Sequence, residues 1–201
     1  MSDSSSTPSR TIPIHVDTGT AYNKPPATSN LDMTQVGRDT PMGELLRRYW
    51  HPIGVSSDAN STPRKVRVLG EDLILFRDKK GRPGLVYPHC AHRGTSLFYG
   101  KVEENGIRCC YHGWHFNVDG ILMDAPCETD ATRLKQTVCQ GAYPAFERDG
   151  LVFAYMGPPD EQPPFPEFDT YSLPKDTKLV PFSNIYPCNW LQVYENIMDH
   201  M

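Results

Sequence analysis

The sequence predicts a mainly β fold, an antiparallel sandwich followed by the start of an α+β unit. Three observations carry this. Short apolar runs bounded by Gly, Asp and Pro turns recur between residues 64 and 156. Within that stretch two loops, "HCAHRG" at 89–94 and "CCYHGW" at 109–114, each offer cysteine and histidine. Beyond a proline-rich stretch the pattern changes to helical spacing in "NWLQVYENIMDHM" at 189–201.

The 201 residues suffice for one domain plus part of another, and 38% apolar residues with 19 prolines suit a β-rich domain with long loops. A net charge of -4 gives no reason to expect nucleic acid or an acidic membrane as partner. No apolar run approaches the roughly 18 residues of a membrane span. The start, "MSDSSSTPSR", lacks the basic and apolar regions of a signal peptide. A cytoplasmic location is therefore expected, with the six cysteines reduced.

Residues 1–29 are rich in Ser, Thr and Pro and are expected to form a disordered arm. Folding starts near Thr40, a helix cap, with Pro41 at the first helical position. Met42, Leu45, Leu46 and Tyr49 then recur at helical spacing, so "GELLRRYW" reads as a short amphipathic helix. "KVRVLGEDLILFRDKKGRPGLVY" reads as three strands that turn at "GE" and at "DKKGRPG", with "LILF" as a buried run. "RCC" and "WHFNV" read as strand ends, Asp119-Gly120 as a hairpin turn, and "AYPAFERDGLVFAYMG" as a hairpin turning at Asp149-Gly150. "PPDEQPPFPEFDTYSLPKD" is too proline-dense for regular ladders and reads as an extended linker. "TKLVPFSNIYP" reads as a strand. Asn189 then caps a helix whose one face carries Trp190, Val193, Tyr194 and Ile197.

The cysteines and histidines decide the chemistry. Mixed zinc sites usually draw two ligands of one kind from each short segment. Here each loop supplies one of each, Cys90 with His92 and Cys109 with His112. That arrangement suits a two-iron cluster with two thiolates on one iron and two imidazoles on the other. Cys110 also stands in a Cys-x-His spacing with His112, and Cys109 is preferred because its register matches the following "HGW". Cys110 is expected to be a small buried filler, and Cys127, Cys139 and Cys188 buried free thiols. His89 and His115 read as spectators. Arg93 reads as a residue that shapes the loop.

This pattern resembles the Rieske [2Fe–2S] signature, Cys-x-His followed by Cys-x-x-His, and Gly94, Gly113 and Trp114 fit it too. Respiratory Rieske proteins add a disulfide between the two loops. Thr95 and Tyr111 stand at those positions here, which points to the oxygenase or ferredoxin branch. From about residue 32 onward the chain resembles the oxygenase component of ring-hydroxylating Rieske non-haem iron oxygenases, nearest to the phthalate 4,5-dioxygenase-like branch. "TPMGELLRRYWHPIG", "YHGWHFNVDG" and "GLVFAYMGPP" carry this likeness.

The resemblance implies a Rieske-type antiparallel β-sandwich with two cluster-binding loops at 30–158, a linker at 159–176, and the truncated start of an α+β catalytic domain at 177–201. It implies electron delivery from a flavin/iron–sulfur reductase, ultimately NADH, to a mononuclear Fe(II) that acts on an aromatic small molecule in an intact homotrimer. None of that iron's three ligands would lie within the 201 residues, and the chain alone would not be catalytically competent. Glu195-Asn196 and Asp199 match the opening of the iron motif, and His200 is out of register with it. Asp199 would be a bridging carboxylate, hydrogen-bonded to His112 of an adjacent subunit. A stand-alone Rieske ferredoxin and a zinc-binding structural module are the alternatives.

Overall fold

The computed structural model describes residues 28–174 and 176–199. Most of the expected arm, and His200, lie outside the described residues. The chain from Asp32 onward forms one compact unit.

After a single turn, α1 (Leu31–Thr34), the first cap forms as the sequence predicts. Thr40 Oγ1 accepts from the Gly43 amide at 3.2 Å, and Glu44 accepts from the Asp39 amide at 3.0 Å. Helix α2 (Pro41–Leu46) is nevertheless shorter than the "GELLRRYW" helix expected. Leu45 and Tyr49 are exposed, and the residue that goes inside is Arg47. Its Nη1 donates to Glu71 at 2.9 Å, a long-range ion pair that overrides the amphipathic pattern.

The strands are β1 (Trp50–Val55), β2 (Arg64–Val68), β3 (Glu71–Arg77), β4 (Pro83–Val86), β5 (Lys101–Glu103), β6 (Gly106–Arg108), β7 (His115–Phe116), β8 (Leu122–Asp124), β9 (Ala142–Tyr143), β10 (Ala145–Arg148) and β11 (Leu151–Tyr155). They form three antiparallel sheets, ordered β1-β11-β10, β2-β3-β4-β9 and β5-β6-β7-β8. The expected β10–β11 turn is present, with Asp149 and Gly150 at φ 50° and 79°. The β2–β3 turn sits one residue earlier than "GE". Leu69 and Gly70 hold φ 44° and 79°, Val68 pairs with Glu71, and Glu71 is thereby released into the strand.

The centre of the second sheet, in β3 and β4, is buried on both faces. Along β3, Leu73 and Leu75 enter one core with Leu85, Val152, Ala154 and Met156, while Ile74 and Phe76 enter another with Leu97, Ile107, Trp114 and Phe116. Side chains of a strand alternate, so the unbroken run "LILF" serves both cores.

The proline-rich stretch joins no ladder, as expected, and it is also fastened. Trp50 Nε1 donates to the Pro163 carbonyl at 2.9 Å, and the Phe165 ring lies 4.9 Å from both Phe146 and Phe153. Arg148 grips Glu167 through two hydrogen bonds and stacks over Tyr171 at 4.4 Å. The strand expected at "TKLVPFSNIYP" does not form. Val180, Phe182 and Ile185 are exposed in an extended segment that pairs with no strand among the described residues. Helix α4 (Trp190–Met198) starts at its Asn189 cap as predicted, yet Tyr194 and Ile197 face solvent. Two helices were not foreseen, the single turn α1 ahead of the expected start at Thr40 and α3 (Ala131–Thr137), capped by Asp130. No helix among the described residues is long and apolar enough to cross a membrane.

Glu71 ties α2 to the sheet, accepting from Arg47 and from the Tyr143 hydroxyl at 2.7 Å. Partial burial raises its carboxyl pKa, but the Tyr143 and Arg47 hydrogen bonds with the Arg38 and Arg47 charges outweigh this and hold it below the ordinary 4.5. Such a group adds stability above its unfolded pKa and loses that contribution as pH falls through the folded value. Glu71→Gln is expected to cost on the order of 2 kcal/mol at neutral pH. In urea titrations the gap from wild type should narrow below about pH 4.5; a constant gap would contradict this account.

Candidate metal centre

The two Cys-His loops are built alike. In the first, which follows β4, the Cys90 carbonyl accepts from the Gly94 amide at 2.9 Å and the Cys90 amide donates to the Thr95 carbonyl at 2.9 Å. In the second, between β6 and β7, the Cys109 carbonyl accepts from the Gly113 amide at 3.2 Å and the Cys109 amide donates to the Trp114 carbonyl at 2.8 Å. Each turn closes through a glycine at positive φ, Gly94 at 71° and Gly113 at 74°, where a side chain would be strained.

Two polar side chains brace these turns from behind. Gln140, buried, takes the Ala91 amide on its Oε1 at 2.8 Å and donates to the Tyr87 and His89 carbonyls at 2.9 Å. Arg108 donates to the Gly113 carbonyl at 2.6 Å and pairs with Glu103 and Asp124. Those hydrogen bonds, Arg108's first, hold both carboxyls below their ordinary values against partial desolvation. Neither brace carries a spacing signal, because each partner lies far away or behind the turn. Only the arginine directly before Cys109 offered a local hint.

The loops bring the four predicted residues together. Cys90 and Cys109 are 3% and 4% exposed and belong to the core that contains Ile74 and Phe76. Their side chains interact directly. The His92 and His112 rings lie 4.7 Å apart, both only partly buried. His92 stacks flat on Trp114, at 4.6 Å and 3°, and Tyr111 covers His112 at 3.7 Å. Thiols therefore sit inside and imidazoles toward solvent. Burial, the largest cause, pushes the Cys90 thiol up to about 11, against amide hydrogen bonds from His92 and Arg93, and Cys109 adds to the rise.

The flanking residues divide. Cys110 is exposed rather than a buried filler, and Cys127, Cys139 and Cys188 are exposed rather than buried. A turn pinned by its backbone points consecutive side chains to opposite sides, which sends Cys110 out as Cys109 goes in. His89 bonds to the Gly94 carbonyl, Arg93 is exposed, and His115 is buried with an unpartnered Nε2. Asp199 caps α4 at an exposed position; its expected partner belongs to a neighbouring subunit and lies outside a single chain.

The donor set fits a two-iron cluster. Two adjacent buried thiols offer soft ligands at the inner end, and two adjacent imidazoles offer borderline ones at the outer end. No group of three or more His, Cys, Asp or Glu among the described residues is arranged to hold a single ion.

Residues 49–140 match the family described as the Rieske [2Fe-2S] domain, so the chain carries a domain of that class. Its relatives narrow the class. The tert-butanol monooxygenase / tert-amyl alcohol desaturase oxygenase subunit of Aquincola tertiaricarbonis is 60% identical over 174 residues, 87% of this chain and 37% of that protein. The phenoxybenzoate dioxygenase subunit alpha of Ectopseudomonas oleovorans is 48% identical over 208 residues, 95% and 50% of the two chains. The phthalate 4,5-dioxygenase oxygenase subunit of Pseudomonas putida is 39% identical over 173 residues, 85% and 39%. The crystal structure of apo dicamba monooxygenase shares the fold, with a TM-score of 0.55 at 24% identity over 64% of this chain and 40% of that one. Over most of its own length the chain is similar to these subunits, and it spans half or less of the length of these curated relatives.

Gln140→Leu would remove the side-chain partner of the Ala91 amide and of the Tyr87 and His89 carbonyls, three part-buried hydrogen bonds worth about 1 kcal/mol each. Purified Gln140→Leu protein is expected to hold clearly less iron and acid-labile sulfide than wild type. Undiminished content would show that the brace is dispensable.

Proposed function

We propose that residues 30–158 form a Rieske electron-transfer domain in which Cys90 and Cys109 hold one iron and His92 and His112 the other. The observation that carries this is the pair of equivalent turns, thiols inward and imidazoles outward, within a stretch that matches the Rieske family. Bound there, the cluster supplies one-electron transfer at a raised potential, about −150 to +300 mV for the class, because two neutral imidazoles replace two charged thiolates. The apolar core around Cys90 and Cys109 keeps water from the inner end. The His92–His112 pair, near the surface, is the electron's way in and out.

We further propose that the domain serves an oxygenase, with 159–176 as its linker and 177–201 as the start of a catalytic domain. Similarity to the phenoxybenzoate dioxygenase subunit runs through 95% of this chain, past the Rieske domain, which favours the oxygenase over a stand-alone ferredoxin. In the whole protein, a flavin/iron–sulfur reductase drawing on NADH would supply electrons to a mononuclear Fe(II) in a homotrimer. Asp199 would bridge that iron's site to His112 of the adjacent subunit. Six free thiols suit the cytoplasm. An aromatic substrate fits the phenoxybenzoate and phthalate relatives, and a tertiary alcohol is the second reading, favoured by the 60% identical relative. Oxygen uptake by the full-length protein with its reductase, against phthalate-type acids and tert-butanol, separates the two.

The cluster assignment has a direct test. Anaerobically purified protein is expected to be coloured and to give a rhombic paramagnetic signal after reduction. His112→Cys should lower the midpoint potential, because a charged thiolate replaces a neutral ring; a rise or no change would remove His112 from the ligand set.

A further inference from the structure

A third segment closes over the two loops, and one of its side chains has no place in the four-ligand set. After β8 the chain makes a tight turn in which the Glu128 amide donates to the Ala125 carbonyl at 3.1 Å. Two residues on, Asp130 caps α3 by accepting from the Arg133 amide at 3.2 Å. Glu128 is thus held between two anchored backbone features. Ala125 is buried, and Pro126 lies so close over the second loop that a Cβ on Gly113 would meet its ring at 3.0 Å. From this position the Glu128 carboxylate reaches the first loop, with Oε1 3.4 Å from His92 Nε2.

The His92 ring is fixed in two independent ways. Stacking on Trp114 sets its plane, and the Glu128 carboxylate faces its Nε2 at 3.4 Å, within ion-pair distance. A carboxylate accepts hydrogen bonds and does not donate them when ionised, so it selects the tautomer with the proton on Nε2. The lone pair is then on Nδ1. We propose that Glu128 is a positioning residue that presents His92 Nδ1 to the outer iron and, through its charge, lowers the potential of the cluster. This rests on the ligand assignment above.

The electrostatic sign follows from charge alone. A negative carboxylate 3.4 Å from a ligand's outer nitrogen makes that ligand a better donor and favours the more positive, oxidised state. His92 and Glu128 are 18% and 31% exposed at their side chains, so solvent screens this effect in part without removing it. Arg93 is the neighbouring charge of opposite sign; it is exposed, next to His92 in the chain.

Glu128→Gln keeps the shape and a hydrogen-bonding group and removes the charge; Glu128→Ala removes both. Each is to be made in the full chain and compared with wild type by iron and sulfide content, visible absorption, and a dye-mediated redox titration followed by paramagnetic resonance. Wild type and Glu128→Gln should carry the same cluster content, and the midpoint potential should be higher in Glu128→Gln, with altered g-values where the His92 ring has turned. Glu128→Ala should lie at least as high. An unchanged or lowered potential in Glu128→Gln with the cluster intact overturns the inference and leaves the ligand assignment standing. Loss of the cluster in Glu128→Gln makes Glu128 a structural brace and also overturns it. A wild-type protein that takes up no cluster defeats the ligand assignment itself.

Discussion

The fold depends on the middle of β3 having no solvent face. Leu73, Ile74, Leu75 and Phe76 are all fully buried, and alternation divides them between two cores. One core holds the β1-β11-β10 sheet against the central sheet. The other holds the β5-β6-β7-β8 sheet, and Cys90, Cys109 and Trp114 are among its members. The inner half of the metal centre is thus a corner of the hydrophobic core. Gly84 shows how closely the central strands are fitted, since a Cβ there would lie 2.4 Å from the Phe76 ring.

What the sequence made legible was local. The cap at Thr40, the hairpin at Asp149-Gly150 and the two Cys-His loops all depend on residues within a few positions of one another. What it hid was set at long range. Leu45 and Tyr49 have helical spacing, yet the chain turns at Arg47 because Glu71, 24 residues away, takes its guanidinium. "TKLVPFSNIYP" has strand composition but no partner strand, and a strand has no ladder to join alone. The exposure of Cys110, Cys127 and Cys139 is a matter of which side of a turn or helix each faces, and composition is blind to that. The linker's prolines were read correctly as ladder-breaking, while the aromatic clasp around Phe165 depends on Trp50, Phe146 and Phe153 from three separate strands.

The same division runs through the site. The four candidate ligands were legible because ligand spacing is a local constraint imposed by a small cluster. The residues that hold them in place were not. Gln140 sits 49 residues from the amide it satisfies, and Glu128 belongs to a turn after β8. An irregular loop carried on a sheet has unpaired amides and carbonyls, and each must be matched when the loop is buried. Gln140 matches three of them with one side chain, which is why a single residue can support a loop with no regular structure of its own.

Burying two thiols side by side has a consequence for assembly. Desolvation and mutual repulsion keep Cys90 protonated at neutral pH, while the His92 and Arg93 amides already point at its sulfur as they would toward a thiolate. The turn is therefore shaped for the charged form that its surroundings disfavour. Metal supplies the missing positive charge, and binding must release protons, so uptake is favoured as pH rises. Imidazoles at the outer end of the proposed site would need to give up no thiol proton, and their partial exposure fits that difference. Solvent-averse charge lies at the inner pair and solvent-tolerant donors at the outer pair. The polarity of the proposed site thus follows from where the core ends, and the two rings that the core leaves uncovered are where the proposed electron route would reach the surface.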